Sequence, residues 1–147
     1  MFVERILPIA LQRLITIRDD ALLTDAAKQL SSRHISLVVV CNPDGVMVGV
    51  ITKTDIVRQI AHCEGFSCTM SVAAAMTRDL TYCHPSDVLQ DVLSITKERG
   101  VVHIPIVDQD SKPAGVVNVR DALQALLGEA EDEGLLLRDY VMGIGYH

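Results

Sequence analysis

Two short segments carry the residues in this chain that could do chemistry. They are Gly49-Val50-Ile51-Thr52-Lys53-Thr54-Asp55 and Gly115-Val116-Val117-Asn118-Val119-Arg120-Asp121. The pattern predicts that each runs off a buried strand into the start of a helix. Unpaired N–H groups and the positive dipole end at such a junction favour a phosphate. A threonine hydroxyl there can donate to a phosphate oxygen. A carboxylate, which only accepts, suits the two hydroxyls of a ribose. Apolar strands nearby would sandwich a purine. These parts describe a nucleotide cleft, made twice. The same residues also serve a local purpose that needs no ligand. Thr52 with Asp55, and Asn118 with Asp121, have the spacing of a helix capping box.

The elements that position these segments are themselves duplicated. At an offset of 66 residues Asp25 falls on Asp91, Arg33 on Arg99, Gly49 on Gly115, Val50 on Val116 and Asp55 on Asp121, without a gap. A repeat of this length is one supersecondary unit that needs its neighbour to bury a core. Each copy reads as strand, helix, strand, strand, helix. In the first, residues 13–64, Leu14–Ile17 is a strand and Asp20 caps a helix with Leu23, Ala26, Ala27 and Leu30 on one face. Ile35–Cys41 follows as a buried strand, Asn42-Pro43-Asp44-Gly45 as a turn, Val46–Thr52 as the returning strand and Thr54–Ala61 as a helix. In the second, residues 78–127, the matching parts are Thr81–Cys83, a cap at Ser86, and a helix with Val88, Val92, Leu93 and Ile95. Then come Val101–Val107, a turn over Asp108–Lys112, Ala114–Val117 and a helix over Asp121–Leu127. Residues 1–12 form an amphipathic lead-in. Residues 65–77 form a connector, with a short helix at Ser71–Met76. The tail, 128–147, holds an acidic run from Glu129 to Glu133 and the apolar segment Leu135–Met142. That segment is expected to pack on the body or on a second subunit.

Composition narrows the function. The 147 residues are 49% hydrophobic but only 3% aromatic, so the core is built from aliphatic side chains. A net charge of −6 argues against polyanion binding, which rests on Lys and Arg neutralising phosphates. The four cysteines show no disulfide-framework spacing and read as reduced cytosolic thiols. His62, Cys63, Cys68, Cys83 and His84 leave a metal- or redox-responsive role as an alternative, although no tight Cys-x-x-Cys knuckle is present. No nucleophile motif, metal-ligand triplet or glycine-rich phosphate loop occurs, so the chain is not expected to be an enzyme. The N-terminus lacks the features of a signal peptide, and the apolar runs are too short to span a bilayer. A cytoplasmic protein without membrane contact is expected.

The duplicated βαββα order, the turn before Gly49–Asp55, and Val102-His103-Ile104-Pro105-Ile106-Val107-Asp108 together resemble a tandem pair of CBS (cystathionine-β-synthase) domains. The resemblance covers about residues 13–127. The lead-in and Leu137–Gly143 resemble stand-alone bacterial members rather than a fragment of a larger enzyme. It implies an α+β fold of two repeats related by a pseudo-twofold axis, with an N-terminal lead-in, a C-terminal helical tail and two clefts between the repeats. It also implies a homodimer and regulation by an adenosine ligand: AMP first, or ADP, ATP, NAD(H) or S-adenosylmethionine. No cofactor would be obligatory, no nucleic acid would bind, and an effector protein would receive the signal. A structural or oligomerisation module with empty clefts is the alternative.

The resemblance also assigns site residues. The family pattern Gly-x-x-Ser/Thr-x-x-Asp falls on Gly49, Thr52 and Asp55, with Asp55 on the ribose and Thr52 and Thr54 on the phosphate side. In the second repeat Asp121 matches, and Asn118 replaces the hydroxyl residue with an amide that can still donate. Val50 and Val116 belong to the same strands. The first-strand threonine falls on Thr16, beside Ile17, and Tyr82 stands at the equivalent place. Because such clefts mix both repeats, Thr16 is expected to face Asp121, and Tyr82 to face Asp55. His103, with Ile104 and Pro105, is the nearest match to a basic residue before the proline-containing strand. Arg58 and Arg120 are further candidate phosphate partners.

Overall fold

The computed structural model describes residues 1–33, 35–62 and 69–128. The expectations for Glu64–Cys68, for Cys63 and for the tail beyond residue 128 lie outside the described residues. The first repeat contains β1 (Thr16–Arg18), α2 (Leu23–Ser32), β2 (Leu37–Cys41), β3 (Met47–Thr52) and α3 (Lys53–His62). It follows a 3-10 turn (Val3–Ile6) and α1 (Leu7–Gln12). The second repeat, after α4 (Val72–Ala75), contains α5 (Leu89–Arg99), β4 (His103–Val107), β5 (Pro113–Asn118) and α6, helical over 119–128.

The two hairpins match residue for residue. Leu37 pairs with Thr52 and His103 with Asn118, and both ladders slip at their far ends, between Val40 and Cys41 and between Ile106 and Val107. In the first repeat β1 adds a parallel third strand beside β2. In the second this strand shrinks to a single bridge from Cys83 to Ile106. Proline explains the loss. The Val39 N–H donates to the Ile15 carbonyl at 2.9 Å. The corresponding residue is Pro105, which has no N–H to give.

Both faces of β2 are buried, which is why Val38-Val39-Val40-Cys41 is continuously apolar. Val38 and Val40 point into the core of the first repeat with Leu23, Ala26, Leu30 and Ile51. Val39 and Cys41 point the other way and meet Val50 and Val116 in a smaller cluster that joins the two repeats.

The lead-ins are crossed. Val3, Ile6 and Ala10, at the start of the chain, are buried in the second repeat's core with Leu89, Val92, Ile104, Ile106 and Val117. Val72, Ala75 and Met76, from the connector, are buried in the first repeat's core. This arrangement replaces the expected side-chain caps. Neither α2 nor α5 has a side-chain cap. Asp20 instead pairs with Arg18, and Ser86 is exposed. The first helical N–H groups find backbone carbonyls from the lead-ins: Leu23 donates to Met70 and Leu89 to Met1, both at 2.8 Å. Both helices therefore start later than expected, and Leu89 rather than Val88 faces the core.

Gly49 and Gly115 are where the lead-ins come closest to the hairpins. A Cβ on Gly49 would lie 2.7 Å from Met76 Sδ and 2.8 Å from the Thr77 carbonyl oxygen. On Gly115 it would lie 2.8 Å from Ala10 Cβ. The two glycines of the repeated pattern thus serve chain packing.

Candidate ligand clefts between the repeats

Cleft one is a cavity of about 630 Å³. Its floor comes from the β3–α3 junction: Val50, Thr52 and Thr54. One wall is the segment entering the second repeat, with Thr77, Asp79, Leu80 and Thr81. The opposite wall runs from Arg99 through Val101, Val102 and His103 to Pro105. Ser36 and Leu37 complete it. Hydroxyl groups, apolar side chains, one guanidinium, one carboxylate (Asp79) and the His103 ring therefore converge on one space.

Asp55 does not itself line this cleft; it is a buried group hydrogen-bonded to the lining residues Thr52 and Thr77, with a saturated carboxylate. One oxygen accepts the Thr52 N–H at 2.9 Å and the Thr52 hydroxyl at 3.0 Å. The other accepts the Thr77 hydroxyl at 2.9 Å and Arg58 Nη1 at 3.2 Å. The Asp55 N–H donates back to Thr52 Oγ1 at 3.2 Å, which completes the capping box. The partner across the cleft is Thr77, where Tyr82 was expected. Tyr82 is about half exposed at 52%, stands edge-on to His84, and lines neither cleft. Thr81 lines the cleft in its place, because the bridging Cys83 turns its neighbour Tyr82 to the opposite face.

Cleft two is smaller, about 250 Å³, and is lined by Arg13, Ile35, Ser36, Leu37, His103, Val116 and Asn118. Asp121 is 5% exposed. Its carboxylate is gripped by the fork of Arg13, through Nε on one oxygen and Nη2 on the other, the latter at 2.9 Å. Arg13 thus takes the place expected of Thr16. Thr16 and Ile17 line neither cleft, and Ile17 packs on the first repeat's core. The capping box expected of Asn118 and Asp121 is only half made. Asn118 Oδ1 accepts the Arg120 N–H at 2.8 Å, while Asp121 is committed to Arg13.

His103 lines both clefts. The Asn118 amide lies 2.9 Å from its Nε2, and Ser36 Oγ lies 3.3 Å from its Nδ1. With the amide donating to Nε2, the neutral ring keeps its hydrogen on Nδ1, facing Ser36. Burial lowers its pKa below the ordinary 6.5, helped by the Arg13 charge and opposed by Asp121. The ring is therefore neutral at pH 7 and is a hydrogen-bonding group rather than a cationic phosphate partner. Ile104 is fully buried in the second repeat's core and lines no cleft. Arg120 lies in neither cleft. It borders an open groove along α6 with Val102, Asn118, Leu123 and Leu127. Arg58, on α3, is spent on Asp55.

Thr77, Asp79, Thr81, Arg99 and Arg13 are among the lining residues that sequence reading missed. A signal for Arg99 was present, since it pairs with Arg33 in the repeat offset. Arg13 and Thr77 sit at the seams between lead-in and repeat, where no motif marks them.

The thiols at Cys41 and Cys83 are buried, and burial raises the pKa of both, that of Cys83 to about 12 with help from the nearby Asp87. Neither is poised for thiolate chemistry. His84 Nδ1 lies 3.0 Å from the Val107 carbonyl oxygen. Among the described residues no group of three His, Cys, Asp or Glu side chains could hold a metal ion. Among the same residues no helix is long and apolar enough to cross a membrane.

The family model for the CBS domain matches this chain twice, over residues 6–62 and 72–128. The chain belongs to the CBS-domain family. The tandem pair accounts for the duplicated hairpins and for the two clefts. Among related sequences, an uncharacterised 17.7 kDa protein of Acidianus ambivalens is 29% identical over 119 residues, covering 81% of this chain and 71% of the relative. Arabinose 5-phosphate isomerase GutQ of Escherichia coli K12 is 31% identical over 116 residues. That match covers 74% of this chain but only 36% of the isomerase. Among solved structures, the CBS-domain protein ATU1752 of Agrobacterium tumefaciens superposes with a TM-score of 0.72 at 26% identity, covering 86% of this chain and 99% of that one. The CBS pair of protein MJ0100, solved with 5′-methylthioadenosine and S-adenosyl-L-methionine, gives 0.72 at 22% identity, covering 88% and 98%. CBSX2, solved with AMP, gives 0.72 at 20% identity, covering 87% and 97%.

Proposed function

We propose that this CBS pair is a regulatory module of the cytoplasm that binds an adenosine ligand in cleft one and passes its occupancy to an effector protein. The observation that carries this reading is the lining of cleft one. Four threonines (Thr52, Thr54, Thr77 and Thr81) supply hydroxyls, Val50, Leu80, Val101 and Pro105 supply apolar walls, and Arg99 supplies a cation. Its volume falls within the roughly 300–1,000 Å³ of small-molecule sites. The adenosine compounds bound by the MJ0100 pair and by CBSX2 support that ligand class. AMP is the first candidate, with Arg99 and the Thr54 hydroxyl on its phosphate and the Thr52–Asp55 pair on its ribose. Asp55 becomes available by exchange: of its partners Arg58 is the exposed one, at 58% against 3% for the carboxylate, so a ribose hydroxyl would take over the Arg58 contact and keep the buried charge hydrogen-bonded.

The role is regulatory rather than catalytic, and the isomerase match, confined to about a third of that enzyme, supports no transfer of its activity. Transmission requires the ligand to favour one of two conformations. A homodimer supplies the moving interface. Exposed apolar side chains stand on α3 at Val57 and Ile60 and on α6 at Leu123 and Leu127, and Val57 and Leu123 occupy matching places in the two repeats. Such a face fits a self-complementary contact.

Calorimetric titration with AMP tests the reading. Saturable binding is expected, together with a melting temperature that rises as the logarithm of ligand excess, about 2.7 kcal/mol of stabilisation at a hundredfold over Kd. Thr54→Val with Arg99→Ala should weaken AMP more than adenosine. No heat and no melting shift with AMP, adenosine or S-adenosylmethionine would leave a scaffolding module instead.

A further inference from the structure

The two clefts share a plan but differ at several positions, one of which bears on whether a ligand can enter. At the repeat offset Arg13 corresponds to Asp79, and Leu11 to Thr77. In cleft two the first of these is a guanidinium, and it reaches the buried carboxylate. In cleft one it is a second acid, which cannot. We infer that Arg13 is an internal occupant of cleft two, holding Asp121 in place of a ligand's diol, so that each chain takes a single nucleoside-type ligand, in cleft one. This rests on the adenosine-ligand reading above and adds stoichiometry to it.

Three observations carry the inference. The contact is two-pronged, and a planar fork on a carboxylate uses the same paired acceptor geometry that a vicinal diol would need. Arg13 is also held in place. It closes α1, with its N–H on the Ala10 carbonyl at 3.2 Å, and Ala10 is wedged against Gly115 on β5. Finally, cleft two offers about 250 Å³ where cleft one offers about 630 Å³. Asp55 is held differently: its cation is Arg58, on the same helix, which reaches it through one nitrogen and is 58% exposed, against 40% for the two-pronged Arg13 on Asp121.

Stoichiometry by calorimetry with AMP tests this on the full-length chain. The wild type is expected to bind one AMP per chain. Arg13→Met keeps the aliphatic stem but removes the fork, and is expected to bind two. Arg13→Met combined with Asp121→Asn should return to one. Two AMP per wild-type chain would overturn the inference while leaving the sensor reading standing, and this result needs no variant to fold. One AMP per chain in a folded Arg13→Met would also overturn it. No binding by the wild type with one AMP gained in Arg13→Met would sink the assignment to cleft one and support the lock. No binding by either would sink both.

Discussion

Asp55 and Asp121 occupy matching positions, and each is satisfied by a different neighbour. Asp55 is bound into the first turn of its own helix, so its substitution acts on the fold as well as the ligand. Asp55→Ala should remove AMP binding and also lower stability by about 1–3 kcal/mol, because Thr77 and the Thr52 N–H lose a charged acceptor. Denaturant unfolding of Asp55→Ala beside wild type measures this. The Thr-x-x-Asp spacing already offers both a ligand carboxylate and a capping box in the sequence, and the structure makes the capping box. His103 gives a pH signature. Its folded pKa lies below 6.5, so as pH falls the unfolded chain takes up the proton first. The contribution of His103 to stability is level well above 6.5 and declines as pH drops through 6.5 toward the folded value. Melting curves of wild type and His103→Gln should run parallel above that pH, with wild type losing more below it. What could not be read was Arg13. A charge in a lead-in has no motif, and its partner is reached only through tertiary structure.

At the level of elements, the hairpins were legible and the helix starts were not. Asn42-Pro43-Asp44-Gly45 between two β-branched runs predicts a hairpin through local turn chemistry. The register and the bulge then repeat in the second copy. Helix starts depended instead on carbonyls of Met1 and Met70, supplied from distant chain. The short polar residues at Asp20 and Ser86 looked like caps because capping is ordinarily local. The glycines are the converse case. They were legible as a repeated feature, yet their role is contact with α1 and with the Met76–Thr77 backbone. Gly115→Ala presses a methyl against Ala10, which is buried and has a backbone carbon 2.9 Å away. It should cost about 1–3 kcal/mol by overpacking. Gly49→Ala meets the flexible Met76 thioether as well as the rigid Thr77 carbonyl, so a similar or smaller loss is expected. Chemical denaturation midpoints for the two variants check the order.

For the whole molecule, the exposed apolar residues of α3 and α6 are expected to hold the dimer. Val57→Glu with Leu123→Glu should shift the protein to monomer in light-scattering chromatography, with little change in the monomer's circular dichroism. Both side chains are about half or more exposed, at 64% and 48%, so the core is untouched. Deleting residues 1–12 is a different matter. Val3 and Ile6 are almost wholly buried, and at about 1.5–3 kcal/mol per large apolar side chain their loss removes much of a typical domain's stability. Loss of cooperative melting in the second repeat is expected. The interlaced lead-ins also set a timetable for biosynthesis. A growing polypeptide presents the opening helix of the far lobe first, then the near lobe, then the piece that seals the near lobe, and only last the body to which the opening helix belongs. The near lobe cannot be closed until its borrowed strip has left the ribosome, and the far lobe's strip must wait for its own body; cutting the gene between the near lobe and residue 69 should therefore give two pieces that each lack a wall, and mixing them should restore the pair only by exchange of those strips.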